Sequence, residues 1–289
     1  MAMSISHEEM TMTEFLSVDG GRIAYEVAGE GPLVVLAPGM GILRSAYRHL
    51  ASRLVAAGFR VASTDLRGHG ESSTGWACYT RTDTAGDLLA LIRHLGGPAV
   101  VVGHSFAGGA ATIAAAQEPE LVGAVVEIAP FTRAQKLDLG GFLRIGRYRK
   151  GLALLLRTGL FGSVEAWTRY LDHAYPGTKP ADFADQVGAI RASLSDKDRM
   201  TAVRKMGQSK PTDAGAQLPN ITCPALVVMG TLDPDWADPK AEADGVVAAM
   251  SAGRGTVAMI EGAGHYPHAQ FPEKVAAVMV PFLKQHTAA

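Results

Sequence analysis

Six short runs of β-branched and other apolar residues constrain the fold of this chain more than any other feature. They span residues 33–37, 59–65, 99–103, 122–128, 225–229 and 256–260. Uninterrupted apolar runs of this length are typical of strands that are buried on both faces. Segments with a helical spacing of apolar residues separate the first four runs. This alternation predicts a mostly parallel sheet with helices on both faces.

Two further segments complete the predicted domain organisation. Residues 14–28 alternate apolar and polar side chains around Asp-Gly-Gly, which predicts an antiparallel hairpin and brings the α/β sheet to eight strands. From residue 131 to residue 219 the strand pattern lapses, and apolar residues recur at helical spacing. We therefore expect a core domain formed by residues 1–130 and 220–289, with residues 131–219 inserted as a helical lid.

The predicted lid is basic. Residues 131–219 contain fifteen lysines and arginines against eight acidic residues, whereas the whole chain of 289 residues has a formal net charge of −1. A charged face in contact with water accounts for such a surplus without any partner. Attraction of an anionic substrate is the alternative, and the sequence leaves both interpretations open.

Composition narrows the classes of partner. The chain is 47% apolar and 19% charged, so it has neither the basic field of a nucleic-acid-binding protein nor the signature of disorder. Its first fifteen residues lack the basic and apolar segments of a signal peptide, and no apolar stretch is long enough for a membrane span. We expect a cytoplasmic protein that acts on a small molecule, while no pattern indicates its oligomeric state.

No motif indicates a cofactor or a metal ion. The two cysteines, Cys78 and Cys223, lack metal-ligand spacing, and the chain has neither a complete dinucleotide fingerprint nor a P-loop lysine. The expected chemistry therefore belongs to the side chains themselves.

The sequence GHSFAGG, residues 103–109, follows a predicted strand and begins a predicted helix. This is the context of the G-x-S-x-G nucleophile elbow, in which a strained turn exposes the serine hydroxyl and the residues two positions away must be small. Gly103 meets that requirement, and Ala107 replaces the second glycine with the addition of one methyl group. The context predicts Ser105 as a nucleophile.

Together with the elbow, four other stretches resemble landmarks of the α/β-hydrolase superfamily, and the resemblance covers almost the whole chain. Residues 38–41 (PGMG) occupy the place of the oxyanion loop, and residues 65–72 (DLRGHGES) resemble its D-x-R-G-x-G-x-S turn. Residues 230–236 (GTLDPDW) and 261–273 (EGAGHYPHAQFPE) resemble the acid and histidine loops. The resemblance implies a lidded, esterase-like hydrolase with a serine nucleophile.

A serine nucleophile requires a base that removes its proton. His265 follows the last predicted strand, and the resemblance implies this role for it because the family's chain order is serine, acid, histidine. His104 adjoins the serine in sequence and should point away from it, and His69 is expected to have a structural role in its glycine-rich turn. We expect His268 to face solvent or to lie behind the site.

The histidine in turn requires an acid that fixes its tautomer. Asp233 follows the fifth apolar run, at the family's usual acid position. Asp235 and Asp238 lie nearby and are expected to have ordinary loop roles. Glu127 is a rival, because some members of this fold carry the acid after the strand that contains it.

The resemblance also implies an oxyanion hole built from two backbone N–H groups. One belongs to Phe106, directly after the nucleophile, and the other to Met40 in the oxyanion loop. Pro38 replaces the histidine that usually begins this loop. Since the hole uses backbone N–H groups of other residues, we expect it to persist.

A serine at the elbow, rather than an aspartate, argues against the dehalogenases and epoxide hydrolases of this fold and favours acyl transfer. The sequence therefore predicts hydrolysis of a small to medium, apolar carboxylic ester through an acyl-enzyme on Ser105. A carbon-carbon bond hydrolase, a peptidase, a cofactor-free perhydrolase and a non-catalytic binding protein are the alternatives. Side chains that would line an acyl pocket, or pack between helices instead, are Phe131, Leu137, Leu139, Phe142, Leu143, Leu152, Leu155, Leu156, Phe161, Trp167 and Tyr170.

Overall fold

The computed structural model describes residues 12–134 and 137–287, so most of the N-terminal segment considered above lies outside the described residues. Eight strands form one sheet in the order β1-β2-β4-β3-β5-β6-β7-β8. The first two strands form an antiparallel hairpin, β2 is antiparallel to β4, and the other neighbours are parallel. The strands are β1 (Glu14–Val18), β2 (Gly21–Ala28), β3 (Leu33–Ala37), β4 (Arg60–Thr64), β5 (Ala99–His104), β6 (Val122–Ile128), β7 (Ala225–Gly230) and β8 (Gly255–Ile260).

Both faces of the sheet carry an apolar core. In the central strand β5, Val101 belongs to the cluster on one face, whereas Val100 and Val102 belong to the cluster on the other. Because successive side chains of a strand point to opposite faces, an uninterrupted apolar run is what a strand covered on both sides requires. The predicted eight-stranded, mostly parallel α/β sheet is confirmed.

The helices bring the rest of the chain onto the sheet and its edge. One 3₁₀ turn (Arg44–Tyr47) precedes α1 and another (Leu218–Asn220) follows α9. The α-helices are α1 (Arg48–Ala56), α2 (Arg81–His94), α3 (Phe106–Gln117), α4 (Leu139–Arg144), α5 (Gly146–Phe161), α6 (Val164–Ala174), α7 (Phe183–Leu194), α8 (Lys197–Gln208), α9 (Thr212–Gln217), α10 (Pro239–Ala249), α11 (Pro267–Gln270) and α12 (Pro272–His286).

Helices α4 to α9 lie between β6 and β7 in the chain, where the sequence predicts helices. Trp167, Tyr170 and Leu171 of α6 form a third apolar cluster with Ile42, which follows β3, and Tyr266, which follows β8. These helices therefore pack on loops at the carboxyl ends of the parallel strands, the edge where ligands bind in open α/β sheets. In residues 12–134 and 137–287, no helix has both the length and the apolar character needed to cross a membrane.

Candidate active site

Ser105 lies in a sharp turn between β5 and α3. Its φ of 53° and ψ of −115° fall in a region that residues other than glycine rarely occupy. The turn is fixed by a hydrogen bond from the Ser105 N–H to the Ile128 carbonyl of 2.8 Å. A Cβ atom on Gly103 would lie 2.2 Å from the Ala107 carbonyl oxygen, so glycine is required there, whereas Ala107 is itself accommodated in full burial.

The structure brings His265 and Asp233 together. Asp233 follows β7 and His265 follows β8, and the ring Nδ1 lies 2.9 Å from the Asp233 Oδ2. Both side chains are buried, and the backbone N–H of His265 donates to the Ala174 carbonyl at 3.0 Å. Neighbouring parallel strands end at one edge of the sheet, which is why residues 32 positions apart meet here.

Ser105 and His265 line one cavity, but the structure records no hydrogen bond between the serine hydroxyl and the imidazole within the described residues. Long hydrogen bonds between catalytic groups are common in the absence of substrate and shorten when it binds. The geometry thus joins the base candidate to its acid and places the nucleophile candidate at the same cavity.

A second carboxylate, Asp235, approaches the same imidazole, with its Oδ2 at 3.4 Å from the His265 Nδ1. Its Oδ2 accepts a hydrogen bond from the Tyr170 hydroxyl at 2.7 Å, and its backbone N–H donates to Asp233 at 2.9 Å. The Asp235 Oδ1 is buried and has no partner within the described residues. The expectation of an ordinary loop role for Asp235 is therefore wrong, because Asp-Pro-Asp turns both acids toward the histidine.

The environment of His265 favours the imidazolium. Burial alone would lower its pKa, but the charges of Asp233 and Asp235 and the hydrogen bond to Asp233 outweigh burial and raise the pKa to about 9. Burial raises the pKa of Asp235, since its charged form loses solvation in this site. The two acids thus stabilise the protonated form of the imidazole.

The other acid candidates lie elsewhere. Glu127 accepts hydrogen bonds from the hydroxyls of Thr112 at 2.5 Å and Thr132 at 2.6 Å, and burial raises its pKa to about 7. Both carboxylate oxygens are engaged there, so Glu127 is not the hydrogen-bond partner of the imidazole. Asp238 accepts a hydrogen bond from the Ala241 N–H at 3.0 Å and caps the N-terminus of α10, which is an ordinary structural role.

The remaining histidines support the loops. The His104 ring pairs with the His265 carbonyl at 2.9 Å, and burial lowers its pKa well below the usual range. His268 is fully buried, with its ring centroid 4.6 Å from that of Tyr47. The expectation that it faces solvent is wrong, because α11 packs against α1 and turns the side chain inward. His268 instead lies behind the site, 4.7 Å from His104 between ring centroids.

The loop of residues 38–41 passes close to the elbow. A Cβ atom on Gly39 would lie 3.0 Å from the Ser105 Cβ. The Gly41 N–H donates to the His69 Nε2 at 2.9 Å, and the Gly41 carbonyl accepts from the Trp167 Nε1 at 3.0 Å. The structural role expected for His69 therefore includes holding the loop whose first residue, Pro38, carries no N–H of its own.

A cavity of about 760 Å³ separates the sheet edge from α5, α6 and α8. Met40 and Phe106, the predicted oxyanion residues, line it together with Ser105 and His265. Six of the eleven predicted pocket side chains also line it, namely Phe131, Leu152, Leu155, Leu156, Trp167 and Tyr170. Leu137, Leu139, Leu143 and Phe161 are exposed instead, so helical spacing identified the lining only in part. Arg81 and Lys210 also line the cavity, although no pattern in the sequence indicates them.

The cluster of Asp233, Asp235 and His265 brings ligand-type atoms within 4.8 Å of one another, the spacing of a possible metal site. The imidazole nitrogen that faces the two acids is already hydrogen-bonded to Asp233. This arrangement matches the orientation of a base by an acid, which requires no metal ion.

Comparison with known proteins identifies the family. The profile of the alpha/beta hydrolase family matches residues 34–278. The chain is 28% identical over 286 residues to 2-(acetamidomethylene)succinate hydrolase of Mesorhizobium japonicum, covering 92% of this chain and 94% of that protein. The chain therefore belongs to the alpha/beta hydrolase family, as its motifs predict.

Solved structures share the fold. An esterase from Thermogutta terrifontis is 22% identical, with a TM-score of 0.73 over 96% of this chain and 100% of the other. The esterase EaEST from Exiguobacterium antarcticum is 21% identical, with a TM-score of 0.76 over 94% of this chain and 100% of the other. At this level of identity the likeness extends to the fold alone.

Proposed function

We propose that this hydrolase cleaves a small to medium carboxylic ester through an acyl-enzyme on Ser105. The observation that carries the proposal is the hydrogen bond between His265 and Asp233 beside a cavity that Ser105 also lines. A base oriented by an acid next to a serine in a strained elbow is the arrangement that activates a hydroxyl nucleophile.

The proposed cycle has two halves. The Ser105 oxygen attacks the ester carbonyl carbon while His265 takes the hydroxyl proton; the tetrahedral intermediate then collapses, and the imidazolium protonates the departing alcohol. Water repeats the sequence on the acyl-enzyme, with the same histidine as base, and releases the acid. Asp233 keeps the imidazole in the tautomer whose Nε2 can accept a proton.

The oxyanion of each intermediate requires two N–H donors, for which we propose Phe106 and Met40. Phe106 is the first residue of α3, where backbone N–H groups have no partner within the helix. The two hydrogen bonds of Gly41, the next residue, support a fixed position for the backbone of Met40.

We propose that residues 131–219 form the lid over this site. The apolar lining contributed by α5 and α6 supports an apolar substrate part, and a cavity of about 760 Å³ suits a small to medium molecule. Because this lining defines the acyl pocket in the proposal, the length of the preferred acyl chain should follow from it.

The proposal is tested with p-nitrophenyl esters of increasing acyl length. We expect kcat/KM to rise from acetate to a medium-length ester and to fall for longer chains, and Ser105→Ala to lose at least about 10³-fold in kcat. Circular dichroism of the variant checks that it is folded. Undiminished turnover by Ser105→Ala would exclude this serine as the nucleophile.

A carbon-carbon bond hydrolase with the same side chains is the second candidate. The basic residues Arg81 and Lys210 in the cavity lining favour it, since they suit the carboxylate of a dienoic diketone substrate. Product analysis by mass spectrometry distinguishes the two candidate functions. Only the second releases two fragments that a carbon–carbon bond joined in the substrate.

A further inference from the structure

Arg81, the first residue of α2, is buried in the wall of the cavity. Its side chain is held by hydrogen bonds from Nε to the Phe131 carbonyl at 3.1 Å and from Nη1 to the Ser209 carbonyl at 2.9 Å. Its guanidinium carbon lies 4.3 Å from the centroid of the Phe106 ring. Only 4% of the residue is exposed, so the guanidinium is fixed rather than free in solvent.

Space for Arg81 is built into α3. A Cβ atom on Gly109 would lie 2.6 Å from the Arg81 Cδ and 3.0 Å from its Nε. A side chain at position 109 would therefore displace the arginine. Glycine at position 109 is therefore explained by the position of Arg81 rather than by the elbow turn.

The buried guanidinium has no carboxylate partner within the described residues. Among residues 12–134 and 137–287, no acidic oxygen forms an ion pair with it, whereas Arg44 and Arg67 each pair with a buried carboxylate. The acid that acts on it electrostatically is Asp213, whose carboxylate is engaged by Thr82 and by the Ala214 N–H. Burial lowers the pKa of Arg81 to about 10, so it is charged at neutral pH.

The charge balance of the cavity is also positive. Lys210 lines it together with Arg81, and the one carboxylate in the described lining, Asp235, is engaged by Tyr170 and lies beside His265. Phe106 connects the two functions, since its ring contacts Arg81 and its N–H is the proposed oxyanion donor beside Ser105. Within the described residues, the cavity that Ser105 lines thus has a wall with a positive charge that no carboxylate pairs with.

We propose that Arg81, assisted by Lys210, binds a carboxylate group of the substrate, so that the preferred esters are those that carry a free carboxylate. The inference rests on the proposed function and names its substrate class. One arginine with two of its donors already used matches a singly charged carboxylate better than a doubly charged phosphate. The surplus of positive charge in residues 131–219 assists the approach of such a substrate.

Two esters of equal acyl length test the proposal, p-nitrophenyl valerate and mono-p-nitrophenyl glutarate, which differ by a terminal carboxylate. We expect Arg81→Gln to lower kcat/KM for the glutarate ester at least about 10-fold and for the valerate ester less than about 3-fold. Lys210→Gln should act in the same direction with a smaller effect. Equal losses on the two esters, or no loss, would reduce Arg81 to a structural support and overturn the proposal.

The matched control is Lys205→Gln. Lys205 lies on α8, is exposed and has its Nζ 5.3 Å from the Tyr79 ring centroid, outside the cavity lining. The Lys205→Gln substitution removes one positive charge from the same region, so kcat/KM for either ester should change by no more than about 2-fold. If Arg81→Gln fails to fold, Arg81→Lys keeps a charge without the planar fork, and its loss should again be confined to the glutarate ester.

A binding measurement separates this proposal from ester hydrolysis itself. Isothermal titration calorimetry of glutarate with Ser105→Ala should detect binding that is lost in Ser105→Ala/Arg81→Gln. If the wild-type protein hydrolyses neither ester, the proposed function fails, and glutarate binding alone decides the anion site. Equal glutarate binding by both variants would overturn the role of Arg81 even where ester hydrolysis is observed.

Discussion

His265 is held by two carboxylates rather than one. Asp233 contacts the ring Nδ1 at 2.9 Å, and Asp235 approaches the same atom at 3.4 Å while it accepts the Tyr170 hydroxyl. The first acid has the geometry that fixes a tautomer, and the second adds negative charge without a comparable hydrogen bond. We therefore propose that Asp233 orients the imidazole for its role as base, and that the charge of Asp235 contributes to the raised pKa of His265.

Replacement of each acid candidate distinguishes an acid that orients His265 from one that is only buried in the core. Asp233→Asn should lower kcat on a p-nitrophenyl ester by about 10³- to 10⁴-fold, because the imidazole loses the acceptor that fixes its tautomer. Glu127→Gln should change kcat by less than about 3-fold, since Glu127 contacts Thr112 and Thr132 rather than the histidine. Steady-state kinetics decide, and the reverse ranking would move the acid to β6.

Removal of the second charge should change the pH profile. In the proposed cycle His265 must be neutral to accept the serine proton. Because its pKa is raised, kcat/KM should increase as the pH rises through that pKa. Asp235→Asn removes a negative charge beside the imidazolium, so the acid limb should move to lower pH by about one unit. Asp244→Asn, at an exposed position of α10, serves as the control. If the acid limb of the pH profile does not move in Asp235→Asn, the proposed electrostatic effect of Asp235 on His265 is excluded.

At the scale of elements, the candidate active site depends on a loop that the core and α6 hold through the two backbone groups of one residue, Gly41. His69 accepts the N–H of Gly41, and Trp167 donates to its carbonyl. Gly41 has a φ of +71°, and a Cβ atom there would lie 2.5 Å from the Trp167 ring. The position of the neighbouring Met40 N–H thus depends on a contact that only glycine permits.

A pair of glycine substitutions tests this dependence. Gly41→Ala should lower kcat by about 10²-fold or more, because displacement of the loop would remove the proposed oxyanion donor, the Met40 N–H. Gly75→Ala is the control: its φ is +81°, so it carries a similar backbone strain, but a Cβ atom there meets nothing within 4 Å. It should retain kcat within about 2-fold, and an equal loss in both variants would attribute the effect to strain alone.

The strands and the elbow could be predicted from the sequence because each depends on local pattern. Runs such as 33–37 and 122–128 coincide with β3 and β6, since a strand buried on both faces must be apolar throughout. The roles of Asp235 and Arg81 could not be predicted, because their partners come from distant segments. Tyr170 is 65 residues from Asp235, and Ser209 is 128 residues from Arg81.

At the scale of the whole molecule, buried histidines couple folding to pH. Burial lowers the pKa of His268 to about 3, while an unfolded chain gives histidine a pKa of about 6.5. Between these values the unfolded state binds a proton that the folded state does not. The stability associated with His268 is therefore fully present above pH 6.5 and is lost as the pH falls toward 3.

Replacement of this ring should make the protein less sensitive to acid. At pH 5 the linkage at His268 amounts to about 2 kcal/mol, so His268→Phe should reduce the fall in unfolding free energy between pH 7.5 and pH 5 by about that amount. The phenyl ring retains the contact with Tyr47. Urea denaturation at the two pH values measures the difference, and His286→Phe, at the end of α12, is the matched control. An unchanged difference in His268→Phe would contradict the linkage.

Covalent labelling of Ser105 tests the central claim most directly. Intact-protein mass spectrometry after exposure to a fluorophosphonate should show one adduct on the wild-type protein and none on Ser105→Ala, with peptide mapping to residues 103–109. Loss of p-nitrophenyl ester turnover should follow the extent of labelling. An unlabelled wild-type protein, or equal labelling of Ser105→Ala, would contradict the assignment of Ser105 as the nucleophile.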